Sequence, residues 1–123
     1  MSVRNLNDCG VIIALDGTIL RELINPFHDG PEFKLRYSIA HAVLKPGTAS
    51  LPHRLRQSSE VYYLLQGNGI MCIDEQRFNV GPGSLIYIPP NATQYLKNTG
   101  ETDIVFLCIV DPYWRPENEE LVE

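Results

Sequence analysis

His53 and Glu60 are the two side chains whose types and spacing point most directly to chemistry. They lie in PGTASLPHRLRQSSEVYYLLQG, Pro46–Gly67, which reads as strand, sharp turn, and strands closed by a glycine turn. Both sit at strand ends beside turn residues, spaced so that both can point into one cavity. An imidazole titrates near neutrality. A carboxyl in apolar surroundings has its pKa raised by desolvation, opposed by any charge on the imidazole. Glu60 and His53 so placed can pass a proton, which makes them the candidate catalytic pair. If Glu60 faces inward, strand alternation carries Tyr62 and Leu64 to the same face. The pocket then has apolar walls with a few convergent polar groups, as small-molecule sites do.

The other two histidines have weaker claims. His28 falls in INPFHDGPE, Ile24–Glu32, a Pro-, Gly- and Asp-rich loop where nothing nearby is spaced to partner it, so it reads as an exposed loop histidine. His41 lies within FKLRYSIAHAVLK, Phe33–Lys45, which reads as a strand bounded by Gly-Pro and Pro-Gly. A two-residue loop at Pro46-Gly47 would pair His53 with Ala40, and a three-residue loop would pair it with His41. One residue of register decides whether His41 reaches the pocket.

The elements that must position these groups are short strands. VIIAL and TILREL flank Asp16-Gly17, the strongest short signal for a hairpin, with a type I′ turn in which both central residues take positive φ. After Glu60 the runs VYYLLQG, GIMCID, RFNV, SLIYI, QYLKN and DIVFLCIV are separated by Gly-, Pro-, Asn- and Asp-rich turns. No segment sustains an apolar period of 3.6 residues, so the reading is an all-β barrel or sandwich with little or no helix. The expected organisation is one domain over residues 1–123, with an N-terminal hairpin at about 10–24, a core barrel at about 33–110 and a tail at 111–123. In that tail Tyr113 and Trp114 pack on the barrel, while Glu117–Glu123 are solvated. Arg54 and Arg56 alternate with His53 and read as an outward basic face. Cys72 and Cys108 read as core thiols, and Tyr87 as an outer-face or subunit-contact aromatic.

Composition excludes several function classes. The net charge is −5 with 20% charged residues, so nothing in the charge balance favours nucleic acid or an anionic membrane. No apolar run approaches the roughly 18 residues of a membrane span. Cys9, Cys72 and Cys108 are far apart, form no CxxC pair and leave an odd thiol if two are joined. These features place the protein in the cytoplasm.

Two stretches carry a family resemblance. Gly47, His53, Leu55, Glu60 and Gly67 stand at the five positions of the first cupin motif, Gly-x5-His-x-His-x3-4-Glu-x6-Gly, with Leu55 in place of its second histidine. Gly83, Pro89, Asn91, Gln94 and Asn98 stand at those of the second, Gly-x5-Pro-x-Gly-x2-His-x3-Asn. There Asn91 replaces a turn glycine and Gln94 replaces the histidine. About 15 residues separate the motifs, enough for one hairpin. The chain resembles a single-domain cupin of the conserved-barrel type over roughly Ser38–Val110. That resemblance implies a double-stranded β-helix, or jelly-roll, and a homodimer.

It also implies a metal-ligand set: His53, Glu60 and Gln94, with His41 as a further candidate and the apolar Leu55 in the fourth place. Zinc, iron, manganese or nickel would be the divalent ion, bound less tightly than by a complete set because an amide oxygen is a weaker donor than imidazole. Leu55, Tyr62 and Leu96 are the expected pocket residues, Leu96 and Asn98 sharing a face with Gln94. The function implied is a barrel that binds a small sugar or carboxylate-type metabolite. Metal-dependent isomerisation is preferred to dioxygenase chemistry, since an iron oxygenase normally uses more than one histidine. The alternative is a non-catalytic binding or sensor barrel, with no helix-turn-helix or basic segment attached.

Overall fold

The computed structural model describes residues 1–123. Eleven strands follow in chain order: β1 Val11–Ile13, β2 Ile19–Ile24, β3 Ser38–Leu44, β4 His53–Leu55, β5 Ser59–Gln66, β6 Gly69–Ile73, β7 Gln76–Val80, β8 Leu85–Ile88, β9 Gln94–Asn98, β10 Ile104–Asp111 and β11 Glu119–Leu121. They form two antiparallel sheets, ordered β1-β2-β3-β10-β5-β8 and β11-β4-β9-β6-β7. The result is the all-β jelly-roll barrel expected, and no helix is long and apolar enough to cross a membrane.

Period-two alternation builds the interior. Along β10, Ile104, Phe106, Cys108 and Val110 are buried and the residues between them only partly so. Phe106 meets Leu64, Met71, Ile88, Leu96 and Ile104 in one buried cluster. Each such side chain contributes about 1.5–3 kcal/mol relative to exposure. Asn91 adopts φ 70°, the left-handed turn conformation expected of a residue standing in for glycine. Asn98 is buried among polar partners, its amide donating to the Leu44 and Thr102 carbonyls at 2.9 Å while its carbonyl accepts the Gly100 N–H at 2.9 Å.

Four expectations change. The first hairpin forms, with Val11 opposite Arg21, but its connection is Ala14–Thr18 rather than a two-residue turn. Only Gly17 takes positive φ there, because the Asp16 side chain turns back to accept the Thr18 N–H (3.0 Å) and hydroxyl (2.7 Å). Neither loop length considered after β3 applies. The segment after Leu44 crosses to the other sheet, so His53 pairs with Gln94 and Leu121, not with Ala40 or His41. Within the expected loop Ile24–Glu32, Pro26–Asp29 forms one helical turn, α1, capped by Asn25, whose side chain accepts the Phe27 N–H. Finally, the acidic tail is not simply solvated. Its residues Glu119–Leu121 form β11 along β4.

Candidate active site

The site is built where the two sheets face each other. His53 on β4 lies opposite Gln94 on β9, so both project from one face of the five-stranded sheet. On the facing sheet, Glu60 and Tyr62 are two apart on β5 and point to the same interior. Gln94, with no exposed surface, joins the two sides. Its amide N–H donates to Glu60 Oε1 at 2.9 Å, and its Oε1 accepts the Tyr62 hydroxyl at 2.8 Å.

His53 is held by atoms of two further segments. Its Nδ1 lies 2.9 Å from the Leu51 carbonyl, which can only accept, so Nδ1 carries the proton. That leaves Nε2 turned toward the site, 3.6 Å from Asp16 Oδ2. Asp16 is itself buried. Thr18 occupies its Oδ1, and the Leu51 N–H donates to its backbone carbonyl at 2.7 Å. Glu119 enters from β11, opposite Leu55. Its pKa is raised by burial, opposed by the His53 charge, and raised further by Asp16.

Glu60 is the most perturbed carboxyl of the site. Burial pushes its pKa up to about 8, the Gln94 N–H pulls it down, and Glu119 and Asp16 add repulsion. It therefore remains largely protonated at neutral pH. Burial, then the Glu60 charge, also raises the Tyr62 hydroxyl and the Cys108 thiol well above their ordinary values, so both stay neutral. These groups open onto a cavity of about 490 Å³. Its floor holds His53, Glu60, Tyr62, Phe106 and Cys108. One wall is the β1–β2 connection, and at the mouth stand Glu22, His28 and Trp114.

Of the residues expected from sequence, His53, Glu60, Tyr62 and Gln94 come together. Gln94 sits behind the cavity wall as a bridge rather than within it. Leu55 and Leu96 are buried but pack away from the cavity surface. His41 is not brought to the site, since β3 buries Ser38, Ala42 and Leu44 inward and turns His41 to the other face, between Arg21 and Leu107. Asp16 and Glu119 were not anticipated. Asp-Gly satisfied a turn reading and Glu119 an acidic-tail reading, and neither carries a local sign of a cavity. His28 also gains an unforeseen partner, because its Nδ1 lies 2.6 Å from Glu22 Oε1. Arg54 and Arg56 lie outside, bound to Glu120 and to the Glu117 carbonyl.

The donors do not fit the metal that the resemblance implies. The amide oxygen of Gln94, its only ligating atom, is engaged by Tyr62, and its N–H groups face Glu60. Leu55 offers no donor and His41 faces away. No three His, Cys, Asp or Glu side chains are grouped so as to hold an ion.

A family model described as a cupin domain matches residues 40–110. An uncharacterized protein of Methanocaldococcus jannaschii, MJ1618, is 36% identical over 112 residues, 90% of this chain and 86% of that one. An oxalate-binding protein of Thermotoga maritima is 27% identical over 71 residues, 58% of this chain and 59% of its own. Among solved structures, Pac13, a nucleoside dehydratase from Streptomyces, superposes with a TM-score of 0.79 at 16% identity, covering all of this chain and 92% of its own. At that identity the likeness is one of fold.

Proposed function

The chain belongs to the cupin-domain family, and from that premise we propose that its barrel is a proton-transfer site for a small, uncharged, hydroxylated metabolite. The observation that carries this reading is Glu60, buried and held protonated to a pKa of about 8, facing the same cavity as the imidazole Nε2 of His53. Such a pair supplies an acid and a base at one pH. On a substrate with a carbonyl, His53 Nε2 takes a proton from the neighbouring carbon while Glu60 gives its proton to the carbonyl oxygen, forming an enol. Where the neighbouring carbon also bears a hydroxyl, the enol is an enediol. Protonated His53 then delivers its proton to the former carbonyl carbon while the second hydroxyl gives its proton back to Glu60 and becomes the new carbonyl, which completes an isomerisation. Where the next carbon along bears the hydroxyl, protonated His53 gives its proton to that hydroxyl, which leaves as water. The enol O–H returns its proton to Glu60 and the carbonyl re-forms, which completes a dehydration. Asp16, 3.6 Å from Nε2, stabilises the imidazolium formed in the first step.

The cavity's charge argues for the uncharged class over the carboxylate class. It is lined by four carboxyl side chains, Asp16, Glu22, Glu60 and Glu119, and two imidazoles, with neither Lys nor Arg. A dianion would find no fixed positive fork to bind it. Among the chemistries named for similar proteins, an uncharged nucleoside suits this lining better than oxalate. The metal-dependent isomerase or dioxygenase reading relied on Gln94 beside His53 and Glu60, and the Gln94 amide is already engaged by Tyr62 and Glu60.

The same reading includes a homodimer, because Tyr63, Leu65, Leu85 and Tyr87 form an exposed apolar patch on β5 and β8. It also includes a single domain in a reducing, cytoplasmic setting, which suits the three free thiols.

Thermal-shift and turnover assays on neutral sugars, nucleosides, oxalate and sugar phosphates test the reading. Neutral ligands should stabilise the protein, and turnover should survive chelator treatment and fall at least 100-fold in Glu60→Gln. Stabilisation by oxalate alone, or turnover lost to the chelator, would sink it. Neutral-ligand binding without turnover would reduce it to a binding module.

A further inference from the structure

We infer that the mouth of the cavity is a subsite for a planar ring, so that the ligand is a ring-bearing, uncharged hydroxylated molecule of the nucleoside class. The inference rests on the proposed interior site, whose ligand it specifies. Three rings meet at the mouth. Phe27 and His28 stand edge-to-face with centroids 4.9 Å apart, His28 and Trp114 are 5.9 Å apart, and Phe27 meets Trp114 at 90° and 6.5 Å. His28 and Trp114 line the cavity that leads to His53 and Glu60, and Phe27 braces them from outside it.

The cluster is held in place before any ligand arrives. Asn25, fully buried, donates to Glu22 Oε2 at 3.0 Å and to the Trp114 carbonyl at 3.1 Å. Glu22 Oε1 fixes His28 through Nδ1, and the Trp114 N–H donates to Ser38 Oγ at 3.0 Å. Aromatic walls tied to their neighbours lose little freedom when a ring stacks on them. His28 Nε2 has no partner in the protein and remains available to the edge of such a ring. Ile12 and Ile13 line the same cavity while largely exposed, at 51% and 67%. Apolar side chains and aromatic rings thus share one lining, which favours a flat ring over a bare sugar.

Trp114 is the only tryptophan in the chain, so its fluorescence reports on this subsite alone. The full chain would be titrated with uridine, adenosine and D-ribose, following Trp114 emission and, in parallel, heat by calorimetry. The nucleosides are expected to change the emission saturably and to bind at least tenfold more tightly than ribose. Trp114→Ala should weaken nucleoside binding about tenfold or more and ribose binding far less, while Trp114→Phe should retain most of the nucleoside affinity. Ile13→Ser, at a largely exposed position, should weaken nucleosides about threefold. The subsite is overturned if ribose binds as tightly as the nucleosides with emission unchanged, or if the Trp114→Ala and Ile13→Ser variants keep full nucleoside affinity. In both cases the interior site stands. If neither nucleosides nor ribose bind the unmodified chain, both the interior site and the subsite fail.

Discussion

Gln94 ties the two sheets together across the site, and its two bonds explain why Glu60 can be both buried and ordered. One Gln94 N–H satisfies the carboxyl without neutralising it, so burial still dominates and the pKa stays high. The consequence for stability has a definite sign. In the unfolded chain Glu60 ionises near 4.5, whereas in the native state it keeps its proton to about 8. Between those values the native state holds a proton that the unfolded state has lost. The contribution is therefore complete below 4.5 and declines as pH rises toward 8, at about 1.4 kcal/mol per pH unit. Glu60→Gln keeps an acceptor for Gln94 and cannot ionise. Its unfolding free energy, measured from pH 5 to 8, should fall less steeply than that of the parent, and the variant should be the more stable of the two at pH 8. Parallel profiles would mean that Glu60 is not held protonated by the fold.

Two segments outside the main strands complete the site. The Ala14–Thr18 connection brings Asp16 to His53, and β11 brings Glu119. The β11 strand also covers β4, and the flanking residues continue the contact: the Arg56 N–H donates to the Asn118 carbonyl at 2.7 Å and the Val122 N–H to the Pro52 carbonyl at 2.9 Å. Ending the chain at Asn118 removes the three β4 pairings and the Arg54–Glu120 ion pair. At roughly 0.5–1.5 kcal/mol per net hydrogen bond, the loss should be about 2–4 kcal/mol in urea unfolding. An unchanged midpoint would show that β11 is only laid against the barrel. The strands themselves were legible because alternation and turn residues are local signals. By contrast, the pairing of β11 with β4 joins positions more than sixty residues apart, and nothing in ENEELVE announces it.

The outer face of the six-stranded sheet is apolar along β10, β5 and β8. Leu85 lies opposite Tyr63 and Tyr63 opposite Leu107, so one apolar row crosses three strands and ends at the open edge of β8. A second copy covering this row would bury it and shield that edge. Light scattering should give twice the mass of one chain for the parent and a single-chain mass for Leu85→Glu with Tyr87→Glu, with thermal unfolding still cooperative. A monomeric parent would leave the row without that role. The mouth and its rings belong to the opposite end of the sheet order, where β1 and β2 lie, so pairing through β8 leaves the cavity open.

The barrel and the inward set of His53, Glu60, Tyr62 and Gln94 were legible in the chain from local signals alone. Strand parity is a property of neighbouring residues, and the turns that bound each strand are written in Gly, Pro and Asn. What those groups meet follows from long-range packing. It placed Asp16 and Glu119 beside His53, set Glu22 against His28 with Trp114 at the mouth, and turned His41 away. Each of these depends on which sheet a strand joins after a crossing, and the long-range packing that makes that choice leaves no periodic trace in the chain. The same packing engages Gln94 with Tyr62 and Glu60, so a position that resembles a metal ligand serves here as a bridge between sheets.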